Sequence, residues 1–137
     1  MALTHVVDTS VLTRLGAVRV REVIEPLVEA GCVARAGVTD LEVGYAARDA
    51  KEWVELLGAL SVLELIESTS THFSRARQVQ RMLAKRRLRG RKLPDLLIAA
   101  AAEERGLVVL HYDVDFDVIS SVTGQAVEWI VARGSID

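Results

Sequence analysis

Pro94-Asp-Leu-Leu-Ile-Ala-Ala-Ala-Ala-Glu-Glu-Arg-Gly-Leu-Val-Val-Leu-His-Tyr-Asp-Val-Asp-Phe-Asp117 is the stretch whose pattern decides the fold. Pro94 suits the first turn of a helix, where its missing N–H leaves no bond unmade. From Leu96 to Ala102 every residue is apolar, so the helix has no face for water and belongs in the interior. Gly106 stops it. Leu107 to Leu110 follows as an unbroken apolar strand, with Asp113, Asp115 and Asp117 directly after. A buried helix feeding a strand that is apolar on both faces marks a parallel sheet with helices on both sides.

The same alternation runs outward from this stretch. Ala2 to Val7 forms a short strand, ended by Asp8-Thr9-Ser10, with Ser10 placed to cap a helix from Val11. A helix over Arg19 to Ala30 carries Pro26, a site for a kink, and stops at Gly31. Cys32 to Arg35 is a strand, and Thr39 caps a helix carrying Glu42, Val43 and Tyr45. Lys51 to Leu60 is helical, and Val62 to Ile66 is a strand. A long helix runs from Thr71 to about Arg89, with Phe73, Ala76, Val79 and Leu83 as its apolar stripe. A short helix and a strand near Ala126 to Val131 close the chain. No repeat, low-complexity segment or linker interrupts the 137 residues, so the expectation is one α/β domain over residues 1–137.

Composition narrows the class. Half the residues are hydrophobic and only 4% aromatic, so the core is built from Ala, Val, Leu and Ile. No segment has the form of a signal peptide, and no apolar run is long enough to span a bilayer, which points to the cytoplasm and away from membranes. Cys32 is the one cysteine, which excludes a disulfide framework and a cysteine zinc site. The net charge of −2 conceals an asymmetry. Nine of the 17 basic residues lie between Thr71 and Lys92, a stretch without one acid. Such runs are usually solvated faces. The density of this one, and its end beside Asp95, favour phosphate binding, with Arg86, Arg87, Arg89, Arg91 and Lys92 as the candidate contacts.

Asp8 and Asp113 each stand just beyond the C-terminal end of a strand, the edge where open parallel sheets bind ligands. Asp95 and Glu42 sit in the first turns of helices, and Asp115 is a fifth acid nearby. Carboxylates gathered at one edge repel unless cations neutralise them, and Mg²⁺ and Mn²⁺ prefer such oxygen ligands. The three histidines lack the context of a Ser-His-Asp set, and glycine-rich phosphate loops are absent. Each acid also has a bland reading. Asp8-Thr9-Ser10 is a good turn and cap. Thr39 and Glu42 have capping-box spacing. Asp95 favours a helix dipole. Asp117 suits a solvated turn or a helix cap.

Val6-Val-Asp-Thr-Ser10, Thr39-Asp-Leu-Glu42, Pro94-Asp-Leu-Leu-Ile-Ala-Ala100 and Asp113-Val-Asp-Phe-Asp117 together resemble the successive motifs of PIN domains, particularly VapC toxins. One such motif is weak; four in order over nearly the whole chain are specific. The resemblance implies a PIN-like fold with a five-stranded parallel sheet flanked by helices. It implies an endoribonuclease dependent on Mg²⁺ or Mn²⁺, with Asp8, Glu42, Asp95 and Asp113 as catalytic and metal-binding acids, Asp115 as an additional metal ligand and Ser10 as a supporting hydroxyl. It also implies a homodimer, an RNA substrate, a VapB-type antitoxin and contact with DNA only through that antitoxin. The chain departs from many family members at His111-Tyr112, where a small hydroxyl is usual before the fourth acid. The alternatives are a non-catalytic PIN scaffold and a metal-dependent DNA nuclease. A phosphoacceptor receiver domain fails because it needs a late lysine, and the last here is Lys92.

Overall fold

A computed structural model describes residues 2–88 and 92–137. The elements run β1 (His5–Val7), α1 (Thr9–Leu12), α2 (Val18–Glu29), β2 (Val33–Ala36), α3 (Gly37–Tyr45), α4 (Ala50–Leu60), β3 (Glu64–Ile66), α5 (Ser70–Lys85), α6 (Leu93–Glu104), β4 (Val108–His111), α7 (Val114–Thr123) and β5 (Val127–Trp129). The strands form one sheet in the order β3-β2-β1-β4-β5, every pair parallel. This is the five-stranded parallel architecture that the apolar strands and the motifs foretold.

Successive residues of a strand face opposite sides of a sheet, and the core divides accordingly. Val6, Ala34 and Val109 pack with Ala76, Val79 and Leu83 of α5, with Leu96 to Ala99 of α6, and with Phe116 and Ile119 of α7. Val7, Val33 and Leu110 point the other way, onto Val11 of α1, Val20 and Ile24 of α2 and Leu60 of α4. Helix α6 is the central support. Every residue from Asp95 to Ala102 is buried, and the run of alanines lets the helix lie close against the sheet.

Several boundaries differ from the sequence reading for physical reasons. Helix α3 starts at Gly37 with Ala36 as its N-cap, so Thr39 is not the cap but a fully buried third position. Asp8, not Ser10, caps α1, and Asp113, not Asp117, caps α7. Helix α5 ends at Lys85, because Arg87 takes a left-handed φ of 59°. Its buried stripe is His72, Ala76, Val79 and Leu83, while Phe73 is 48% exposed. A polar ring fits there because both nitrogens are satisfied: Nδ1 accepts from the Thr69 amide at 3.2 Å, and Nε2 meets Glu104 Oε1 at 2.9 Å. Cys32 is buried, as expected. No helix among the described residues is long and apolar enough to cross a membrane.

Candidate metal centre

The strand order reverses direction between β1 and β4, and the crevice beyond their C-terminal ends is where a parallel sheet offers a site. Asp8 leaves β1 there and Asp113 leaves β4. Asp95 reaches the same place from the first turn of α6, and Glu42 from the second turn of α3. All four line one open groove of roughly 610 Å³.

The tightest grouping is Asp95, Asp113 and Asp115, which bring one carboxylate oxygen each within 4.8 Å of one another. Asp8 lies outside this grouping, and its Oδ2 accepts from the Ser10 amide at 3.0 Å and so serves the cap of α1. It still raises the pKa of Asp95 and of Glu42 by its charge. Glu42 makes no capping box. Its Oε1 accepts from Thr9 Oγ1 at 2.8 Å, a bond that ties the α3 carboxylate to the first residue of α1. Ser10 Oγ accepts from the Tyr112 amide at 2.8 Å and so holds the turn leading to Asp113.

Burial and mutual repulsion set the protonation of these groups. Burial first, and then the charges of Asp8, Asp113 and Asp115, push Asp95 up to about 8 against the opposing pull of Lys92. Burial raises Asp8 despite its hydrogen bonds from Ser10, and raises Glu42 despite Thr9. Burial also pushes Asp113 upward, but the Lys92 ammonium and the Asp115 amide outweigh it and leave its pKa below the usual range. Lys92 Nζ lies 2.7 Å from Asp113 Oδ2, and its own pKa rises through that bond.

A divalent cation fits these residues. The donors are hard oxygens, as Mg²⁺ and Mn²⁺ require. Asp95 is 3% exposed, and its Oδ2 has no hydrogen-bond partner among the described residues. A buried oxygen left bare is costly unless something satisfies it, and a cation among three carboxylates would do so.

Of the candidate RNA contacts, Lys92 lines the groove, Arg86 donates to the Ser121 carbonyl at 3.2 Å, and Arg87 is exposed. Arg89 and Arg91 lie outside the described residues. The groove also has two arginines that charge counting along the chain passed over: Arg14, 4.8 Å from the Tyr112 ring centroid, and Arg133, 5.8 Å from that of Trp129. No local motif marks them, since the sheet and the C-terminal segment bring them together only in space. The structure also gives His111 a definite place. It is fully buried against Phe116 and Trp129, with burial lowering its pKa to about 4, and its Nδ1 accepts from the Asp113 amide at 3.1 Å.

A second groove, of roughly 640 Å³, has mostly apolar walls that include Leu12, Ile24 and Leu60. It adjoins the acidic one, because Thr9 and Glu42 line both.

Comparison with known proteins agrees with this fold. A family model described as PIN domain matches residues 5–121. The chain is 61% identical to Ribonuclease VapC51 of Mycobacterium tuberculosis over 137 residues, all of both chains. Among solved structures it is similar to a DNA-bound VapBC from Salmonella typhimurium, with a TM-score of 0.77, 21% identity and coverage of 94% of this chain and 99% of that one. It is also similar to VapBC-5 of Mycobacterium tuberculosis, a member of the VapBC family of toxin-antitoxin systems, with a TM-score of 0.62, 27% identity and coverage of 96% and 98%. The chain therefore belongs to the PIN-domain family, on its VapC branch.

Proposed function

We propose that this protein is a metal-dependent endoribonuclease, the toxin of a VapBC-type toxin–antitoxin pair, acting in the cytoplasm as a single PIN domain over residues 1–137. The observation that carries the reading is the set of three carboxylate oxygens within 4.8 Å, one side chain among them having a buried, unpartnered oxygen, in a groove open to a polymer. The relatives' designation as ribonuclease and the toxin-antitoxin description of VapBC-5 support the rest.

Asp95, Asp113 and Asp115 would hold Mg²⁺ or Mn²⁺, with Asp8 and Glu42 at the edge of its shell. A cation bound there supplies Lewis acidity toward a phosphodiester and a water that ionises near neutral pH. Lys92, Arg14 and Arg133 line the groove and offset the repulsion between its acids and an incoming phosphate. Glu42, anchored at Oε1 by Thr9 and raised in pKa by burial, would take a proton from the attacking water at Oε2. No imidazole among the described residues lines the groove to deprotonate a ribose 2′-hydroxyl. Attack by water in line with the leaving 3′-oxygen then gives 5′-phosphate and 3′-hydroxyl ends.

The apolar groove beside the acidic one suits a partner chain lying across both, which is the role assigned here to a VapB-type antitoxin; DNA would be reached only through it. Leu41, Tyr45, Trp53 and Val54 on α3 and α4 are large, exposed hydrophobics that suit a homodimer.

The test is cleavage of total RNA and of a matched single-stranded DNA by purified protein, with Mg²⁺ or Mn²⁺, with EDTA, and by Asp8→Asn. RNA fragments with 5′-phosphate ends, lost in EDTA and in the variant, are expected. Cyclic phosphate ends would refute the water mechanism, cleavage of DNA alone would make the protein a DNA nuclease, and no cleavage of either by folded, inhibitor-free protein would leave a scaffold.

A further inference from the structure

We infer that His111 is a positioning residue, whose Nδ1 anchors the backbone amide of Asp113 and thereby sets the carboxylates of Asp113 and Asp115 for a divalent cation. The inference rests on the reading of the acidic cluster as a cation site.

The turn from β4 to α7 has to deliver two of the three clustered acids within three residues, Asp113 as the N-cap and Asp115 in the first turn. Three of its backbone amides are pinned by side chains. The Tyr112 amide donates to Ser10 Oγ at 2.8 Å, and the Asp113 amide donates to His111 Nδ1 at 3.1 Å. The Asp115 amide donates to Asp113 Oδ1 at 2.9 Å, which commits one oxygen of that carboxylate to the cap. Three pins thus fix the turn, and the one on the Asp113 amide is the imidazole.

The ring is held as firmly as the turn it braces. His111 is 0% exposed, with ring centroids 5.1 Å from Phe116 and 4.9 Å from Trp129. An imidazole that accepts at Nδ1 carries its hydrogen on Nε2. That Nε2 has no partner among the described residues, and Asp117 Oδ1, at 4.0 Å, is beyond hydrogen-bond reach. Packing alone does not account for a buried imidazole with one nitrogen unsatisfied, since a leucine fills similar space without that penalty. The bond that a leucine cannot make is the one to Asp113.

Three substitutions separate the two roles because they rank oppositely. Asn places an acceptor on the same Cγ as Nδ1 but leaves a void. Gln matches the reach of the ring but carries its acceptor one bond too far. Leu preserves most of the volume and has no acceptor. If His111 only packs, the order of Mn²⁺ affinity is Leu at the top and Asn at the bottom. If it positions Asp113, His111→Asn stays within about threefold of the parent, while His111→Gln and His111→Leu lose about tenfold or more, the usual cost of removing a support behind a metal ligand.

The experiment is calorimetric titration of Mn²⁺ into the metal-free parent and the three variants, with circular dichroism as the check on folding. It is paired with long-range ¹H–¹⁵N spectra of the parent, which show which ring nitrogen bears the proton and need no variant to fold. A proton on Nε2, together with the order Asn above Gln and Leu, is the expected result. A proton on Nδ1, or equal affinity in Asn and Leu, overturns the positioning role alone. Absence of Mn²⁺ binding by the parent overturns the cation site and this inference with it.

Discussion

Asp95→Asn should make the metal-free protein more stable near neutral pH, although it removes a residue of the proposed metal site. Asp95 is 3% exposed and its pKa is pushed up to about 8 from an ordinary 3.8. The folded state therefore keeps Asp95 protonated at pH 7, where the unfolded chain releases the proton. Because the folded form binds more protons between these two values, stability falls as pH rises from about 4 to about 8. The slope is about 1.4 kcal/mol per pH unit, which accumulates to about 4 kcal/mol at pH 7. Electrostatics gives the same scale. Ionising Asp95 against one neighbouring charge at 4.8 Å, the outer limit of the separations in the cluster, would cost about 3.5 kcal/mol at an effective dielectric of about 20, and Lys92 offsets part of this. An asparagine carries no charge, and its amide donates to the neighbouring carboxylates. The variant should gain about 2 to 4 kcal/mol in EDTA at pH 7, or roughly 10 °C in Tm, and almost nothing at pH 4. Saturating Mn²⁺ should stabilise the parent by about 3 kcal/mol at a hundredfold excess over Kd and leave the variant unmoved. Thermal and urea denaturation in EDTA from pH 4 to 9 measures all of this. A variant no more stable than the parent at pH 7, or a gain that does not depend on pH, would refute the reasoning.

Other substitutions probe separate parts of the site and fold. Lys92→Met removes the cation 2.7 Å from Asp113, so Mn²⁺ should bind more tightly while RNA binds more weakly, with the salt slope of RNA binding reduced by about one. Glu42→Gln should lower cleavage by about a hundredfold or more but cost less Mn²⁺ affinity than Asp95→Asn, as titration calorimetry would show; an equal loss would make Glu42 a full ligand. Ile98→Ala empties a fully buried position under the sheet and should cost about 3 kcal/mol in urea denaturation, whereas a cost below about 1 kcal/mol would mean that α6 is not packed as described.

The fold was legible because its signals are local and strong. Leu96 to Ala102 has no polar face, and the strands Val6-Val7 and Val108 to Leu110 have none either, so burial on both sides follows from composition alone. The acids at strand ends were legible for the same reason, because a parallel sheet sends each of its strand ends to one edge. Cap assignments were not. Asp8, Ser10, Thr39 and Glu42 are all competent caps, and which of them caps depends on tertiary partners: Thr9 takes Glu42 and Tyr112 takes Ser10. His72 was invisible in the stripe of α5 because its burial depends on Thr69 and on Glu104, 32 residues away. Arg14 and Arg133 stand 119 positions apart in sequence and meet one groove only once the sheet is formed.

Asp8, Glu42 and Asp95, whose pKa values burial raises, are destabilising to the apo protein when ionised, and the arrangement around them follows from that. Asp8 and Asp113 are each the N-cap of a helix, so two of the repelling carboxylates also accept amide bonds that would otherwise go unmade. Asp95 lies in the first turn of α6, where the helix dipole favours a negative charge. Lys92, the N-cap residue of that same helix, brings its ammonium back to Asp113. Every clustered acid thus starts a helix or lies in its first turn, and three helix starts converge where β1 and β4 end. The strand order places that convergence at its reversal point, which is why motifs so far apart in sequence form one site. Moving any of these acids one residue along its helix would swing it about 100° around the axis, away from the groove and out of its capping or dipole role at once. The spacing of each motif is therefore constrained twice, by the cation and by the helix it begins.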